Sequence, residues 1–337
     1  MIPGSKVVVT GGAGFIGSHL VEILVQSNYK VTIIDNLVNG KLANLKNINS
    51  SNFEFFELDI TKANLADALQ GAHTVFHLAG IGDVIPSINY PEKYFETNTL
   101  GSVRLFAECQ KSNVRKIVYA SSSSCYGNAE IPTNENAPIS LLHPYAASKF
   151  FGEQVLFSLG KVYGLPITSV CIFNAYGRRF KTSGAYGSVI GVFLKQALEK
   201  QPLTIAGDGL QTRDFVHVSD VAKAFLAAAI KGHAFKRYNI GQGKGIKIKT
   251  LADLISTNQI YIPDRLGEAR HTLADYKLAE LELNWKPTIP IEEGISELIE
   301  NLNEWSDAPL WTRENILSEV SYVSIFVILN LISRSKY

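Results

Sequence analysis

The stretch Lys6-Val7-Val8-Val9-Thr10-Gly11-Gly12-Ala13-Gly14-Phe15-Ile16-Gly17 decides the fold. Val7 to Val9 form a short apolar run, as expected for a strand buried on both faces of a parallel sheet. Glycines stand at 11, 14 and 17, and a helical apolar pattern begins there. Gly11 suits a tight turn off the strand. Gly14 lets backbone approach a pyrophosphate, and Gly17 lets the new helix lie close to the sheet. The first N–H groups of that helix point at its positive dipole end, where phosphates are held. The spacing G-x-x-G-x-x-G departs from the commoner fingerprint G-x-G-x-x-G. Position strengthens it, because the loop follows the first strand and an acid, Asp35, ends the second.

Working outward, apolar runs at Lys30–Asp35, Phe53–Leu58, Thr74–Leu78, Lys116–Ala120 and Ile167–Phe173 read as further strands. Helical segments separate them, including a long one from Pro91 to Cys109 and another opening at Pro144. Alternation of this kind predicts a doubly wound parallel α/β sheet of the Rossmann type with right-handed crossovers. Ligands then gather at the carboxyl ends of the strands, where Gly11, Asp35, Asp59, Ala79 and Ser122 all fall. An acid at Asp35 suits both hydroxyls of an adenosine ribose and repels a 2′-phosphate, so NAD is expected over NADP. Asp59 suits an adenine amino group, and Ala79-Gly80 lets the chain pass close to the cofactor.

Composition bounds the rest. The chain has 337 residues, 46% hydrophobic and 19% charged, with a net charge of +1. That size allows one large core plus a smaller lobe, and the balanced charge gives no field for nucleic acid. Cys109, Cys125 and Cys171 are scattered without metal spacing, as expected of reduced buried thiols in a cytoplasmic protein. No signal peptide is read before the first strand. Tyr322 to Ile332 is strongly apolar but too short for an ordinary bilayer span of roughly 20 residues. A packed terminal helix or dimer contact is the plain reading, and a peripheral membrane contact is the alternative. The expected units are a dinucleotide-binding domain at 1–173, a substrate lobe at 174–315 with segments crossing back to the sheet, and the tail at 316–337.

Tyr145 and Lys149 lie four apart in the helix that opens at Pro144, and so share one face. A tyrosine, with its pKa of about 10, costs about 4 kcal/mol to ionise at neutral pH. A lysine ammonium one turn away and a nicotinamide cation offset much of that in a low-dielectric pocket. Tyr145 can then take a proton from a sugar hydroxyl while hydride leaves the same carbon, with Ser122 holding that oxygen.

These pieces together resemble an extended short-chain dehydrogenase/reductase of the nucleotide-sugar epimerase/dehydratase branch. The matching segments are T-G-G-A-G-F-I-G at 10–17, D-N at 35–36, D-I at 59–60, H-L-A-G at 77–80, S-S-S-S-C-Y-G at 121–127 and P-Y-A-A-S-K at 144–149. Further on come F-N-A-Y-G at 173–177, R-D-F-V-H-V at 213–218 and R-L-G-E-A-R-H-T-L-A-D at 265–275. The resemblance implies a homodimer built on helices near 92–110 and 144–163. It implies tightly held NAD against Gly11, Gly14, Phe15, Ile16, Gly17, Asp35, Asn36, Asp59, Ile60, Leu78, Ala79, Gly80, Asn98, Ser121, Tyr145, Lys149 and Phe173. For the nucleotide diphosphate sugar, a UDP-sugar in this branch, it implies Asn174, Arg213 and Arg265 at the diphosphate and Leu203 and Ile205 flanking the base. Ser87 and Asn98 then help shape the pocket.

Dehydratases of this branch carry an acid, often Asp-Glu, just before the Tyr126-Gly127 pair, and decarboxylases usually carry a Glu in this loop. This chain has Ser123-Ser124. Reversible oxidation at one carbon remains, which fits a 4-epimerase working through a 4-keto sugar. Thr272 falls where some epimerases place a bulky Tyr, so UDP-glucose, UDP-galactose and their N-acetyl analogues all stay open. A uronate 4-epimerase using Arg178 or Arg179, another oxidoreductase of the family, and a non-catalytic NAD-binding protein are the alternatives. Two departures bear on the lobe: Leu254 to Ile262 is shorter than the family pattern, and Gly82 replaces a residue that often contacts nicotinamide.

Overall fold

The structure is a computed structural model that describes residues 2–180, 188–263 and 269–315. Arg265 and the apolar tail therefore lie outside the described residues.

The chain opens with β1 (Lys6–Thr10), α1 (Phe15–Gln26), β2 (Lys30–Asp35), β3 (Phe53–Glu57), α2 (Ala66–Leu69) and β4 (Thr74–His77). Next come α3 (Val84–Asn89), α4 (Pro91–Phe95), α5 (Gly101–Lys111), β5 (Lys116–Ser122), α6 (Pro144–Tyr163), β6 (Ile167–Ile172) and β7 (Asn174–Tyr176). The second half holds α7 (Val189–Leu198), β8 (Leu203–Ala206), β9 (Thr212–His217), α8 (Val218–Lys231), β10 (Lys236–Ile240), β11 (Gly245–Lys247), α9 (Ile248–Ile255), β12 (Gln259–Ile262) and α10 (Ile291–Glu300).

Seven strands form one parallel sheet in the order β10-β6-β5-β4-β1-β2-β3. The order reverses between β1 and β4, and the crevice outside their carboxyl ends is where such a sheet binds ligands. Strand interiors are buried on both faces, as in the fully buried run of β6. On one face α1 and α8 cover Val7, Val9, Ile33, Phe76 and Val118. On the other, Leu69, Leu105, Phe106 and Leu156 cover Val8, Ile34, Val75 and Ile117. The sheet is not confined to residues 1–173, since Lys236–Ile240 returns to pair with β6. A third core, with Phe193, Leu194, Leu203, Ile205, Leu251 and Trp305, holds the lobe together.

Local chemistry explains the element ends that frame the site. Pro144 occupies the first turn of α6, the His143 side chain accepts from Ala146 N at 3.2 Å, and Gly164 closes the helix at φ +72°. The single helix expected from Pro91 to Cys109 is instead interrupted. Between α4 and α5, Glu96–Leu100 winds as one π turn. In the shortened interval of the lobe a helix and a strand are both kept, because only residues 256–258 separate α9 from β12.

Candidate active site

A cavity of about 920 Å³ runs from the glycine loop across the carboxyl ends of the strands to β8 and β9 of the lobe. That volume lies at the upper end for small-molecule sites. At its sheet end the backbone is as close as the glycines allow. Gly11 has φ +72°, and a Cβ there would stand 2.7 Å from Ala79 N. A Cβ on Gly17 would overlap the Gly11 carbonyl oxygen. The first turn of α1 carries no acid to occupy its free N–H groups.

Asp35 is 7% exposed and faces this cavity. Its carboxylate accepts from Ala13 N at 3.0 Å and Leu37 N at 2.9 Å. Burial pushes its pKa up, against those two hydrogen bonds. Asp59 is held by Thr61 N at 2.8 Å and by Asn36 Nδ2 at 3.2 Å. Deeper in, Ser121 is 3% exposed and its Oγ has no hydrogen-bond partner. A glycine cradle, an unencumbered helix N-terminus, a buried ribose-type acid and an orphaned hydroxyl fit a dinucleotide.

Tyr145 lines the middle of the cavity. Its ring stacks on His143 at 5.9 Å and meets Tyr94 edge-on at 6.4 Å. Burial pushes its phenol up, a hydrogen bond with Ser122 opposes this, and the charge of Asp83 adds to it. Ser122 in turn donates to Ser124 Oγ at 3.1 Å. Lys149 is 6% exposed, with Nζ 4.4 Å from the Tyr119 ring centroid. Burial draws the Lys149 ammonium down to about 7, and the Glu153 carboxylate works against that fall. Both members of the pair are thus pressed toward their neutral forms. A proton passing from the phenol to the amine exchanges two neutral groups for an ion pair, which a further positive charge nearer the phenol than the amine favours.

The cavity brings together Gly11, Gly14, Phe15, Ile16, Gly17, Asp35, Asn36, Asp59, Ile60, Leu78, Ala79, Gly80, Ser121, Tyr145, Phe173, Asn174 and Arg213. Ser122 and Lys149 stand immediately behind this wall. Asn98 does not line it. Its side chain, 1% exposed, accepts from Ile81 N at 2.8 Å and donates to Ile81 O at 3.0 Å and Ser148 Oγ at 2.9 Å. The π turn aims it there, so Asn98 clamps the Gly80-Ile81 strand exit to α6. Ser87 is fully buried, and its hydroxyl is spent on Val84 O at 2.5 Å.

Leu203 and Ile205 correct an expectation. Both side chains are fully buried in the core of the lobe, and β8 turns Thr204 and Ala206 to the cavity instead. The period of two in a strand decides this, and an apolar core claims the two larger aliphatics. The alternation was visible in L-T-I-A, but which face meets the ligand was not. Arg178 pairs with Glu304 and Arg179 with Glu22 at 2.7 Å, and neither lines the cavity. Thr272 does line it, donating to Asn174 Oδ1 at 3.3 Å and accepting from Asp214 N at 3.3 Å. Ser124, read from sequence as the place where an acid is missing, also lines it, as do Asp83 and Gln211, which were not singled out. Neither Asp83 nor Gln211 lies in a motif that marks it. Cys125 is 1% exposed, a packed thiol among Tyr126, Cys171 and Phe173. Among the described residues no cluster of metal-ligating side chains occurs, and no helix is long and apolar enough to cross a membrane.

Comparison with known proteins agrees with this geometry. Residues 7–241 match the model of the NAD dependent epimerase/dehydratase family. The UDP-glucose 4-epimerase of Mycolicibacterium smegmatis is 35% identical over 306 residues, 88% of this chain and 97% of that protein. The structure of UDP-N-acetylglucosamine 4-epimerase from Methanobrevibacter ruminantium M1, in complex with UDP-N-acetylmuramic acid, superposes with a TM-score of 0.85. It is 35% identical and covers 91% of this chain and 99% of its own. A UDP-glucuronic acid 4-epimerase from Bacillus cereus, in complex with UDP-glucuronic acid and NAD, has a TM-score of 0.83. It is 30% identical, with 89% of this chain and 99% of that one covered. With a Rossmann sheet, a glycine cradle, Tyr145 in the cleft with Lys149 one helical turn behind it, and the family match over residues 7–241, the chain belongs to the NAD-dependent epimerase/dehydratase family.

Proposed function

We propose that the protein is an NAD-dependent 4-epimerase of UDP-hexoses, including their N-acetyl forms, acting through a 4-keto sugar. One observation carries this reading: Tyr145 stands in the cleft, hydrogen-bonded to Ser122 and one helical turn from the buried Lys149 behind the wall, while the loop before Tyr126 offers Ser124 and no carboxylate to the cavity. Elimination of water would need an acid there, so reversible oxidation at one carbon is the chemistry left.

In this reading Tyr145 removes the proton from the sugar hydroxyl and returns it after the keto sugar has turned over in the cleft. Lys149 holds the phenolate charge, and Ser122 fixes the oxygen's position. NAD, when bound, supplies a hydride acceptor that gives the hydride back within the same cycle. Gly11, Gly14, Gly17, Asp35, Asp59 and Ser121 would hold it. Asn174 and Arg213 would meet the diphosphate, with Arg213 as the charged partner. Arg265 is proposed for the same task from sequence alone. Thr204 and Ala206 would flank the base.

Two features support a neutral hexose over a uronate. Arg178 and Arg179 are engaged by Glu304 and Glu22, and an acid, Asp83, lines the cavity within electrostatic reach of Tyr145. The small Thr272 leaves room for a 2-acetamido group. We further propose a homodimer through α5 and α6, supported by the exposure of Leu100 (44%) in the π turn leading into α5 and of Phe151 (45%) and Tyr163 (55%) on α6. Light scattering at twice the 37.0 kDa chain mass tests it. A soluble, cytoplasmic protein is the matching location.

The deciding experiment incubates the purified enzyme with UDP-glucose, UDP-galactose, their N-acetyl analogues and UDP-glucuronate and resolves the products. Interconversion of C4 epimers of the neutral sugars is expected. A 4-keto-6-deoxy product, or turnover of the uronate alone, overturns the reading.

A further inference from the structure

Two turns below Tyr145 on α6, at i+8, Glu153 is fully buried. Tyr145, Lys149 and Glu153 make one stripe along that helix. The Glu153 carboxylate accepts from Arg237 Nε at 3.1 Å on each oxygen, from Arg237 Nη2, and from Ser169 Oγ. The Arg237 guanidinium, on β10, is itself lodged against Tyr126 (5.4 Å) and Phe150 (5.7 Å). A buried ion pair is weak evidence for stability, because desolvating two charges offsets much of their attraction. This one is oriented: its guanidinium is held by the aromatic rings, while its carboxylate stands one helical turn from Lys149.

We propose that Glu153, locked by Arg237 and Ser169, is a positioning residue whose carboxylate keeps the Lys149 ammonium charged in the dry interior behind Tyr145. The proposal rests on reading Lys149 as the cation that supports the Tyr145 phenolate. Other groups facing Lys149 do not supply this charge. Tyr119 on β5 offers a ring face and donates its hydroxyl to Lys149 O at 3.1 Å. His77 on β4 is fully desolvated and neutral, bridging Thr10 Oγ1 and Ser102 Oγ. Gly80 and Asn98, at the strand exit and the π turn, carry none. Tyr145 carries the partner charge itself, and Asp83, at the start of α3 on the cavity wall, acts on Tyr145. A buried anion one turn away opposes the burial that draws Lys149 toward neutrality.

The test uses the full-length, NAD-loaded enzyme labelled with carbon-13 at lysine Cε, the Lys149 signal being the one lost in Lys149→Met. Its pH titration is read by NMR. In Glu153→Gln the Lys149 midpoint should fall by about one pH unit or more, a tenfold change in its acid dissociation. The alkaline limb of the kcat profile should move the same way. Glu153→Gln leaves Arg237 without its counter-charge and destabilises the fold, so Glu153→Gln/Arg237→Met is measured beside it. The double variant should regain melting temperature and keep a midpoint below wild type. An unmoved midpoint in Glu153→Gln, or a double variant in which both return to wild type, overturns the proposal. The titration needs no substrate, so a protein inactive on all five sugars would refute the substrate reading without touching this one.

Discussion

At the scale of single residues the site depends on a phenol that its surroundings do not ionise unaided. Burial raises the Tyr145 phenol and lowers the Lys149 ammonium, so each needs the other charged. Replacing Tyr145 with Phe removes the acceptor and leaves the glycine cradle and Asp35 intact. Turnover should drop roughly a hundredfold to ten-thousandfold, with NAD retained, as measured by steady-state rates and bound-nucleotide absorbance. Full activity in Tyr145→Phe would remove this residue as the base. Thr272 poses a steric question. Tyr in its place should cost at least about tenfold in kcat/KM for the N-acetylated sugars and little for UDP-glucose, since it fills space beside Asn174 without touching the proton path. The ratio of the two kcat/KM values reads it, and an unchanged ratio would show that Thr272 does not face the 2-substituent.

At the scale of elements the informative feature is the π turn at Glu96–Leu100. A π turn inserts one residue and re-aims a side chain, which is why such turns gather near functional sites. Here it points Asn98 at both polar groups of Ile81 and at Ser148 on α6. Asn98→Ala leaves the part-buried Ile81 peptide without these two partners, at a cost of about 1–2 kcal/mol. Urea melts should record that loss, and the Michaelis constant for the sugar should rise, because Ile81 lines the same wall as Tyr145. A stability within a few tenths of wild type would show the clamp to be dispensable. The strand-helix pattern and the glycine turn were legible from Lys6–Gly17 and the runs that follow. The π turn was not, because its local sequence, E-T-N-T-L, carries an ordinary helical pattern, and only the demands of Ile81 and Ser148 select the extra residue.

At the scale of the whole molecule, Asp214 ties the lobe to the returning sheet strand. Its carboxylate accepts from Gln242 N at 2.5 Å, Gly243 N at 3.0 Å and Ala274 N at 2.8 Å, joining β9 to the turn after β10 and to the segment that carries Thr272. Burial nonetheless pushes it up to about 6 from an ordinary 3.8, outweighing the three N–H donors. The folded chain therefore holds this proton more tightly than the unfolded one. Its contribution to stability is full below about pH 4 and is lost as pH rises through about 6, on the order of 3 kcal/mol. In Asp214→Asn the dependence of unfolding free energy on pH between 4 and 6 should flatten, as read from urea melts at each pH. An unaltered slope would place the titration elsewhere.

The sequence by itself determined the parallel sheet, the nucleotide loop, the acid at Asp35 and the Tyr145–Lys149 pair, because each rests on periodicity or spacing within one or two neighbouring elements. Only the tertiary structure decided that Leu203 and Ile205 face the core while Thr204 and Ala206 face the cleft, that Arg178 and Arg179 are engaged by glutamates, and that Glu153 meets Arg237. Those choices depend on which distant element arrives at each face, and residues as far apart as 153 and 237 have no local pattern that records their meeting.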